Sequence, residues 1–397
     1  MTTVQEDAIG HQEEIVWNEG ELVCQAHWRS ENGVLPPKRV IVADDTLTAD
    51  TAYRYACEGV AILWKGDFQN ARQLLQAITR RVDRPSKKSK KDVDKILSPL
   101  DRFNQHRLKQ SQRARILGSV LMACNADHSI ALRRAPDISK ACIEAYGLAK
   151  DPYVVSLREL LGVIGAHEWR KNGVLIPALS NDIELRIHPH YGVFSPVRGE
   201  YVQLVLKAPL PKAIQTNSLA FDIGTGTGVL AIALIYRGIA QVVGADQDQR
   251  ALSCAMENIA RLGLETQVQI IEADLFPPGK AALVVCNPPW IPARPSSPLE
   301  RSVYDPESLM LKGFLGGLVD HLLPDGEGWL ILSDLAEHLG LRTREELLEM
   351  IHLAGLVVLG RLDVKPLHKK VFDGKDALHS ARVAETTSLW RLAPAIK

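Results

Sequence analysis

Residues 221–234 read Phe-Asp-Ile-Gly-Thr-Gly-Thr-Gly-Val-Leu-Ala-Ile-Ala-Leu. An apolar strand ending in Asp222 meets Gly224, Thr225, Gly226 and Gly228, and a run without a polar face follows. Glycines at alternate positions permit a tight turn and a close backbone approach to a ligand. A helix covered on all sides must then follow, and its N-terminus favours an anionic group. A strand, a glycine turn and a buried helix in this order are shared by several ligand-binding α/β units, and the residues that follow decide between them.

The downstream residues repeat the strand–helix alternation. Residues 241–246 predict a second strand ending in Asp246, 18 positions after Gly228. An acid at that place commonly holds ribose hydroxyls. A helix containing Asn258 follows, then a strand over 268–273 that leads into Asp274 and Leu275. Residues 281–286 predict a fourth strand, which ends in Asn287-Pro288-Pro289-Trp290. Two successive prolines fix φ and withhold two N–H donors, and each restrains the residue before it. The Asn287 side chain and the Pro288 carbonyl are thereby expected to offer two acceptors to one planar NH2 group, with Trp290 as a flat apolar wall. The glycine spacing is Gly-x-Gly-x-Gly, with Val229 where a dinucleotide fingerprint has its third glycine, which disfavours a dinucleotide oxidoreductase.

The ordered set Asp222, the glycines, Asp246, Asp274 and Asn287-Pro288-Pro289-Trp290 resembles the class I S-adenosyl-L-methionine-dependent methyltransferases, over roughly residues 190–392. Within them, Asn-Pro-Pro-aromatic is shared by enzymes that methylate planar nitrogens: the release-factor glutamine methyltransferases (the HemK type), adenine-N6 methyltransferases and guanine-N2 methyltransferases of ribosomal RNA. The resemblance implies a seven-stranded, doubly wound, Rossmann-like sheet with one antiparallel strand near its end. It implies S-adenosyl-L-methionine as cofactor, with Asp222 and Gly224, Thr225, Gly226 and Gly228 at its amino-acid end. Asp246 would meet the ribose, and Asp274 with the Leu275 N–H the adenine; a helix N-cap is the alternative for Asp274. It implies Asn287, Pro288, Pro289 and Trp290 as the catalytic group, with Asn287 also near the cofactor.

The stretch before the glycine turn, residues 188–201, resembles the segment that lies over the cofactor in these enzymes. Tyr191, Phe194 and Arg198 are the candidates for cofactor or substrate contact there. Ser195-Pro196-Val197-Arg198 stands where release-factor enzymes carry an Arg-Pro-Asp-Thr-like stretch, and Trp290 stands where they more often carry Tyr. Acceptors therefore divide between a protein glutamine (a release factor or ribosomal protein as partner), a base of RNA or DNA, and a small molecule. A catalytically silent cofactor-binding regulator is the reading from another class.

The preceding half is less specific. At 397 residues two or three domains are expected. Residues 1–80 are expected to form a small acidic α/β or helical module, since residues 1–75 hold twelve acids against six bases. Strands are expected at 38–43 and 59–64, and a helix at 71–82. Residues 81–115 read as a basic linker and helix: thirteen Lys and Arg against four Asp lie between 80 and 115. Residues 85–91 are expected to be a disordered linker, and 100–122 a basic helix. This segment is either a solvated face or a nucleic-acid contact. Phe103 alone is aromatic there, so base stacking is not supported. Residues 116–187 are expected to be a helical accessory region, with helices at 138–146 and 154–169. The methyltransferase domain would span 188–397, with a helix at 306–323, a capping box at Thr343 and a basic loop at 365–382. No repeat of the glycine turn or of Asn-Pro-Pro is visible upstream.

Zero net charge implies no global attraction to nucleic acid. Six scattered cysteines without a Cys-x-x-Cys argue against a zinc site or disulfide framework. Cys286 reads as a small buried residue, and His188 and His190 lack the companions of a metal site. No apolar run reaches membrane-spanning length, and the polar, acidic N-terminus differs from a signal peptide. A cytoplasmic protein without a metal or a membrane partner is expected.

Overall fold

The strand Ala281–Cys286 is buried at all six positions, as its unbroken apolar sequence requires of a strand covered on both faces. The computed structural model describes residues 13–84, 97–180, 184–197, 199–295, 298–366 and 376–395, so much of the basic loop expected at 365–382 lies outside them. The chain divides into two units, Met1–Val93 with Lys109–Gly165, and Asp94–Leu108 with Ala166–Lys397.

The first unit holds six strands: β1 (Glu14–Glu19), β2 (Leu22–Arg29), β3 (Val40–Ala43), β4 (Ala61–Trp64), β5 (Val120–Cys124) and β6 (Tyr153–Ser156). They form one sheet in the order β1-β2-β6-β5-β4-β3. Helices α1 (Ala49–Cys57), α2 (Phe68–Val82) and α4 (Ser139–Tyr146) belong to it, with the C-terminal part of α3 (Pro99–Leu117) and the start of α5 (Leu157–Asn172). Ile15, Leu63, Leu121 and Val154 form part of its core.

Residues 116–187 are not simply a helical region, because β5 and β6 lie inside them and pair antiparallel in the sheet. The helix expected from 154 starts at Leu157, since Tyr153, Val154 and Val155 are buried strand residues. Short apolar runs fit a buried strand and a buried helix equally well, and the neighbouring strands decide. The unit boundary near residue 165 and the return of residues 94–108 to the second unit also differ from the linear division expected. The linker expected at 85–91 lies outside the described residues.

The second unit begins with the two-stranded β7 (Val174–Leu175) and β8 (Arg186–Ile187) and helix α6 (Glu200–Lys207). Then come β9 (Leu219–Ile223), α7 (Val229–Tyr236), β10 (Gln241–Asp246), α8 (Gln249–Arg261), β11 (Val268–Glu272) and β12 (Ala281–Cys286). After β12 the chain runs through α9 (Leu309–His321), β13 (Leu322–Ser333), α10 (Leu335–His338), α11 (Arg344–Leu353), β14 (Leu356–Val364), α12 (His379–Ala384) and β15 (Thr387–Pro394). The seven long strands order as β11-β10-β9-β12-β13-β15-β14. β15 lies antiparallel to both its neighbours, so it is the single reversed strand. This is the seven-stranded doubly wound α/β sheet, with one antiparallel strand near its end, that the resemblance implied.

α7 is buried at seven of its eight residues, and the apolar faces on the two sides of the sheet are filled separately. Thr343 and Glu346 complete the capping box of α11 reciprocally. The helix expected from residue 306 starts only at Leu309. Glu307 and Ser308 have φ of 56° and 57°, and the buried Asp305 carboxylate accepts from the Met310 and Leu311 N–H groups at 3.0 and 3.1 Å. That carboxylate closes the helix N-terminus. Among the described residues no helix is long and apolar enough to cross a membrane.

Candidate active site

The crevice lies at the carboxyl ends of β9, β10 and β12, where the sheet order reverses between β9 and β12. Gly224, Gly226 and Gly228 all take positive φ, at 68°, 55° and 79°, which β-carbons resist. A β-carbon on Gly224 would lie 2.7 Å from Met310 Cε, whereas one on Gly226 would meet nothing closer than 3.9 Å. The loop is thus closed on one side and open on the other.

Asp222 is buried beneath this loop. Its Oδ2 accepts from the Thr225 hydroxyl at 2.7 Å and from the Ala231 N–H at 3.1 Å. Its Oδ1 is buried and has no partner. Burial pushes the carboxyl up to about 6, against the two hydrogen bonds, with the charge of Asp246 adding to the rise. A buried carboxylate oxygen with no donor is an unmet demand for one. Asp246 ends β10 and accepts from the Gly226 N–H and the Asp248 N–H, both at 3.0 Å. Burial raises its pKa above the ordinary value. Each oxygen keeps a second lone pair for hydroxyl donors.

Asp274 accepts from the Gln247 amide at 3.2 Å. No helix starts there, so the N-cap alternative is set aside. Leu275 has φ of 68°. Asp274, Leu275 and Pro289 line one open cavity of ≈ 370 Å³, with Tyr304, Asp305 and Met310 on its other walls.

Asn287, Pro288, Pro289 and Trp290 follow β12 directly. The indole N–H of Trp290 donates to Asn287 Oδ1 at 2.9 Å. Trp290 is therefore not only an apolar wall; it ties down the carboxamide whose oxygen was expected to be free. Cys286 is buried, and burial pushes its thiol well above the ordinary value, so it is no thiolate.

The segment around residue 190 is docked onto α8. The His188 N–H donates to Asn258 Oδ1 at 2.8 Å, and Asn258 Nδ2 donates to the Thr227 carbonyl at 3.1 Å. Asn258, buried in α8, thus joins this segment to the glycine loop. Sequence reasoning passed over that role; a polar residue on the otherwise apolar face of α8 was the available signal. His190 Nε2 lies 2.7 Å from Glu257, which also meets Arg170 and Arg261. Burial raises the Glu257 pKa, but the Arg261, His190 and Arg170 contacts outweigh it and hold the carboxyl down at about 2. His188 Nδ1 lies 2.6 Å from the Arg170 carbonyl. Both histidines are spent on structure. Among the described residues no group of three His, Cys, Asp or Glu side chains could hold a metal ion.

Tyr191 sits beside Arg250 and, with Trp169 and Pro189, lines a second cavity of ≈ 240 Å³. Phe194 is exposed. Arg198 lies outside the described residues.

Residues 202–295 match the family model described as Ribosomal protein L11 methyltransferase (PrmA). A Ribosomal protein L11 methyltransferase from Symbiobacterium thermophilum is 38% identical over 78 residues, 20% of this chain and 26% of that one. A Release factor glutamine methyltransferase from Cereibacter sphaeroides is 31% identical over 176 residues, 41% of this chain and 58% of that one. A tRNA1(Val) (adenine(37)-N6)-methyltransferase from Bacteroides thetaiotaomicron is 30% identical over 133 residues, 32% of this chain and 56% of that one. The chain thus spans between about a quarter and under two thirds of the length of these relatives. Over the glycine turn and the strands that follow it, the second unit, a seven-stranded α/β sheet, is thus similar to S-adenosylmethionine-dependent methyltransferases. The residues fit that cofactor: an unpartnered buried carboxylate oxygen for its ammonium group, a loop open at Gly226, and an acid at the end of β10.

Proposed function

We propose that this protein transfers the methyl group of S-adenosylmethionine to a planar nitrogen, and that the acceptor is a glutamine side chain of a protein. The observation that carries this is Asn287 at the end of β12, locked by Trp290 and followed by two prolines. In this reading the cofactor supplies an electrophilic methyl on sulfur. Asp222 accepts from the ammonium group at its amino-acid end, Asp246 from the ribose hydroxyls, and Asp274 from the adenine amine. Gly224, Gly226 and Gly228 keep the space open for it.

Asn287 Oδ1 has one lone pair left beside the Trp290 indole, and the Pro288 carbonyl is the second acceptor. Two acceptors on one NH2 group turn its lone pair toward the methyl carbon. Methyl transfer would form the N–C bond as the C–S bond breaks, and the nitrogen, still held by Asn287 and the Pro288 carbonyl, would pass its proton to water. No strong base is required, and positioning carries the rate.

The release-factor match extends over 176 residues, which supports an amide acceptor. The adenine-N6 match supports a nucleic-acid base as the second reading, for which the basic residues between 80 and 115 would be the docking segment.

The test uses radiolabelled S-adenosylmethionine and a cell extract lacking this protein, followed by separate protease and nuclease digestion. Label released by protease and recovered as N-methylglutamine supports the proposal. Label lost to nuclease replaces the amide with a base. No label, with the cofactor bound, overturns methyl transfer in favour of a silent regulator.

A further inference from the structure

Phe103 is only 3% exposed. It packs in a cluster with Ile291, Leu335, Leu339, Leu378 and Ala381, all from the second unit. Arg107 is one turn further along α3, on the same helix face. Its Nη1 donates to the Arg294 carbonyl at 2.7 Å. Its guanidinium lies 4.6 Å from the Tyr304 ring centroid, and its Nη2 is 3.8 Å from the Glu300 carboxylate. A solvated basic face would place this group in water; here it meets a backbone oxygen, a ring and a carboxylate.

Those contacts fall on both arms of the segment after Trp290. Ile291 and Tyr304 pair as a β-bridge, closed by the Ile291 N–H to Val303 carbonyl bond at 3.2 Å and the Asp305 N–H to Ile291 carbonyl bond at 2.9 Å. Arg294 lies on the outgoing arm, Glu300 and Tyr304 on the return. Tyr304 in turn lines the cavity shared by Asp274 and Pro289. One guanidinium therefore holds both arms of a cavity wall. Arginine suits this because a planar fork can stack on a ring and donate in its own plane together, whereas lysine offers a single point charge.

We infer that Arg107 is a positioning residue for the methyl acceptor, fixing the wall that residues 291–295 and 300–305 contribute, from a position 187 residues before the carbonyl it holds. The inference rests on the methyl-transfer reading and adds a specificity role to it. It also gives a second function to a basic residue whose sequence context suggested only solvent or nucleic acid.

The test compares full-length wild type, Arg107→Ala and Arg107→Lys. The acceptor is the extract fraction that the wild type labels, titrated by dilution. Cofactor affinity comes from calorimetry, and the loop is followed by hydrogen exchange over residues 291–305. A loosened wall removes binding that the acceptor makes equally before and during methyl transfer, so Arg107→Ala should raise the apparent acceptor KM about tenfold, with kcat and the cofactor Kd within about twofold. Exchange in the loop should quicken, and Arg107→Lys should fall between the two. If Arg107→Ala does not fold, Arg107→Lys decides by the same signs. An unchanged acceptor KM, an unchanged loop, or a cofactor Kd that weakens in step with KM overturns the inference. A wild type that labels nothing, while the loop of Arg107→Ala exchanges faster, instead overturns the methyl-transfer reading and removes the acceptor role with it.

Discussion

The indole N–H of Trp290 points back to Asn287 Oδ1, 2.9 Å away and three residues earlier in the chain. The bond closes a small ring around Pro288 and Pro289, two residues with no N–H of their own to satisfy that oxygen. The carboxamide is held in one orientation by a neighbour that is itself packed against both apolar faces of the sheet. A second acceptor lone pair stays available on the same oxygen.

Asn287→Ala should therefore lower turnover by about a hundredfold or more, the scale seen when a donor or acceptor at the reacting group is removed. Its cofactor Kd should stay near wild type. Trp290→Phe keeps the ring but deletes the donor, and should lower kcat by about tenfold through a loosened Asn287, the worth of one net hydrogen bond. Single-turnover methyl transfer alongside calorimetry separates the two effects. Equal activity of Trp290→Phe and wild type would remove the indole bond from the mechanism.

Asp222 gives a pH signature. Its folded carboxyl titrates at about 6, above the ordinary value of 3.8. Between those two values the folded chain holds more protons than the unfolded chain, so its contribution to stability is lost as pH rises from about 4 through 6. The cofactor's ammonium group favours the ionised form. Affinity should thus strengthen as pH rises through 6, with Kd at about pH 5 roughly tenfold weaker than at about pH 7. Calorimetry across that range checks it, and Asp222→Asn should bind weakly without the inflection.

Asn258 joins two segments that would otherwise separate. Asn258→Ala leaves the half-buried His188 N–H and the buried Thr227 carbonyl without this partner, at a cost of about 1–3 kcal/mol. Both the melting temperature and cofactor affinity should fall. A loss of melting temperature alone would mean that the glycine loop keeps its shape without the link.

Gly224→Ala combines two penalties. A φ of 68° costs a β-carbon about 1–2 kcal/mol, and that carbon would sit 2.7 Å from Met310 Cε. Cofactor binding should drop sharply. Adding Met310→Ala should restore only part of it, because the backbone strain remains; full recovery would assign the whole effect to the contact.

Much of the second unit was legible in the chain. The glycine turn, the acids ending β9 and β10 and the apolar strand before Asn287 are local patterns, each set by a few adjacent residues whose backbone preferences agree. They placed the sheet and the crevice before any contact was known. The first unit was less legible. Val120–Cys124 and Tyr153–Ser156 are short apolar runs, and only pairing with each other and with β2 and β4 makes them strands.

The sequence by itself determined which elements surround the crevice, because turns, caps and buried strands obey rules of a few residues' range. Tertiary structure alone decided who touches whom across long separations. Asn258 shows in the chain as a polar residue on an apolar helix face, but that it bridges His188 and Thr227, and that Arg107 grips Arg294 and Tyr304, has no local signature. Their identities as amide and guanidinium show in the chain, but their partners exist only once the backbone brings unpaired carbonyls and rings within hydrogen-bonding reach.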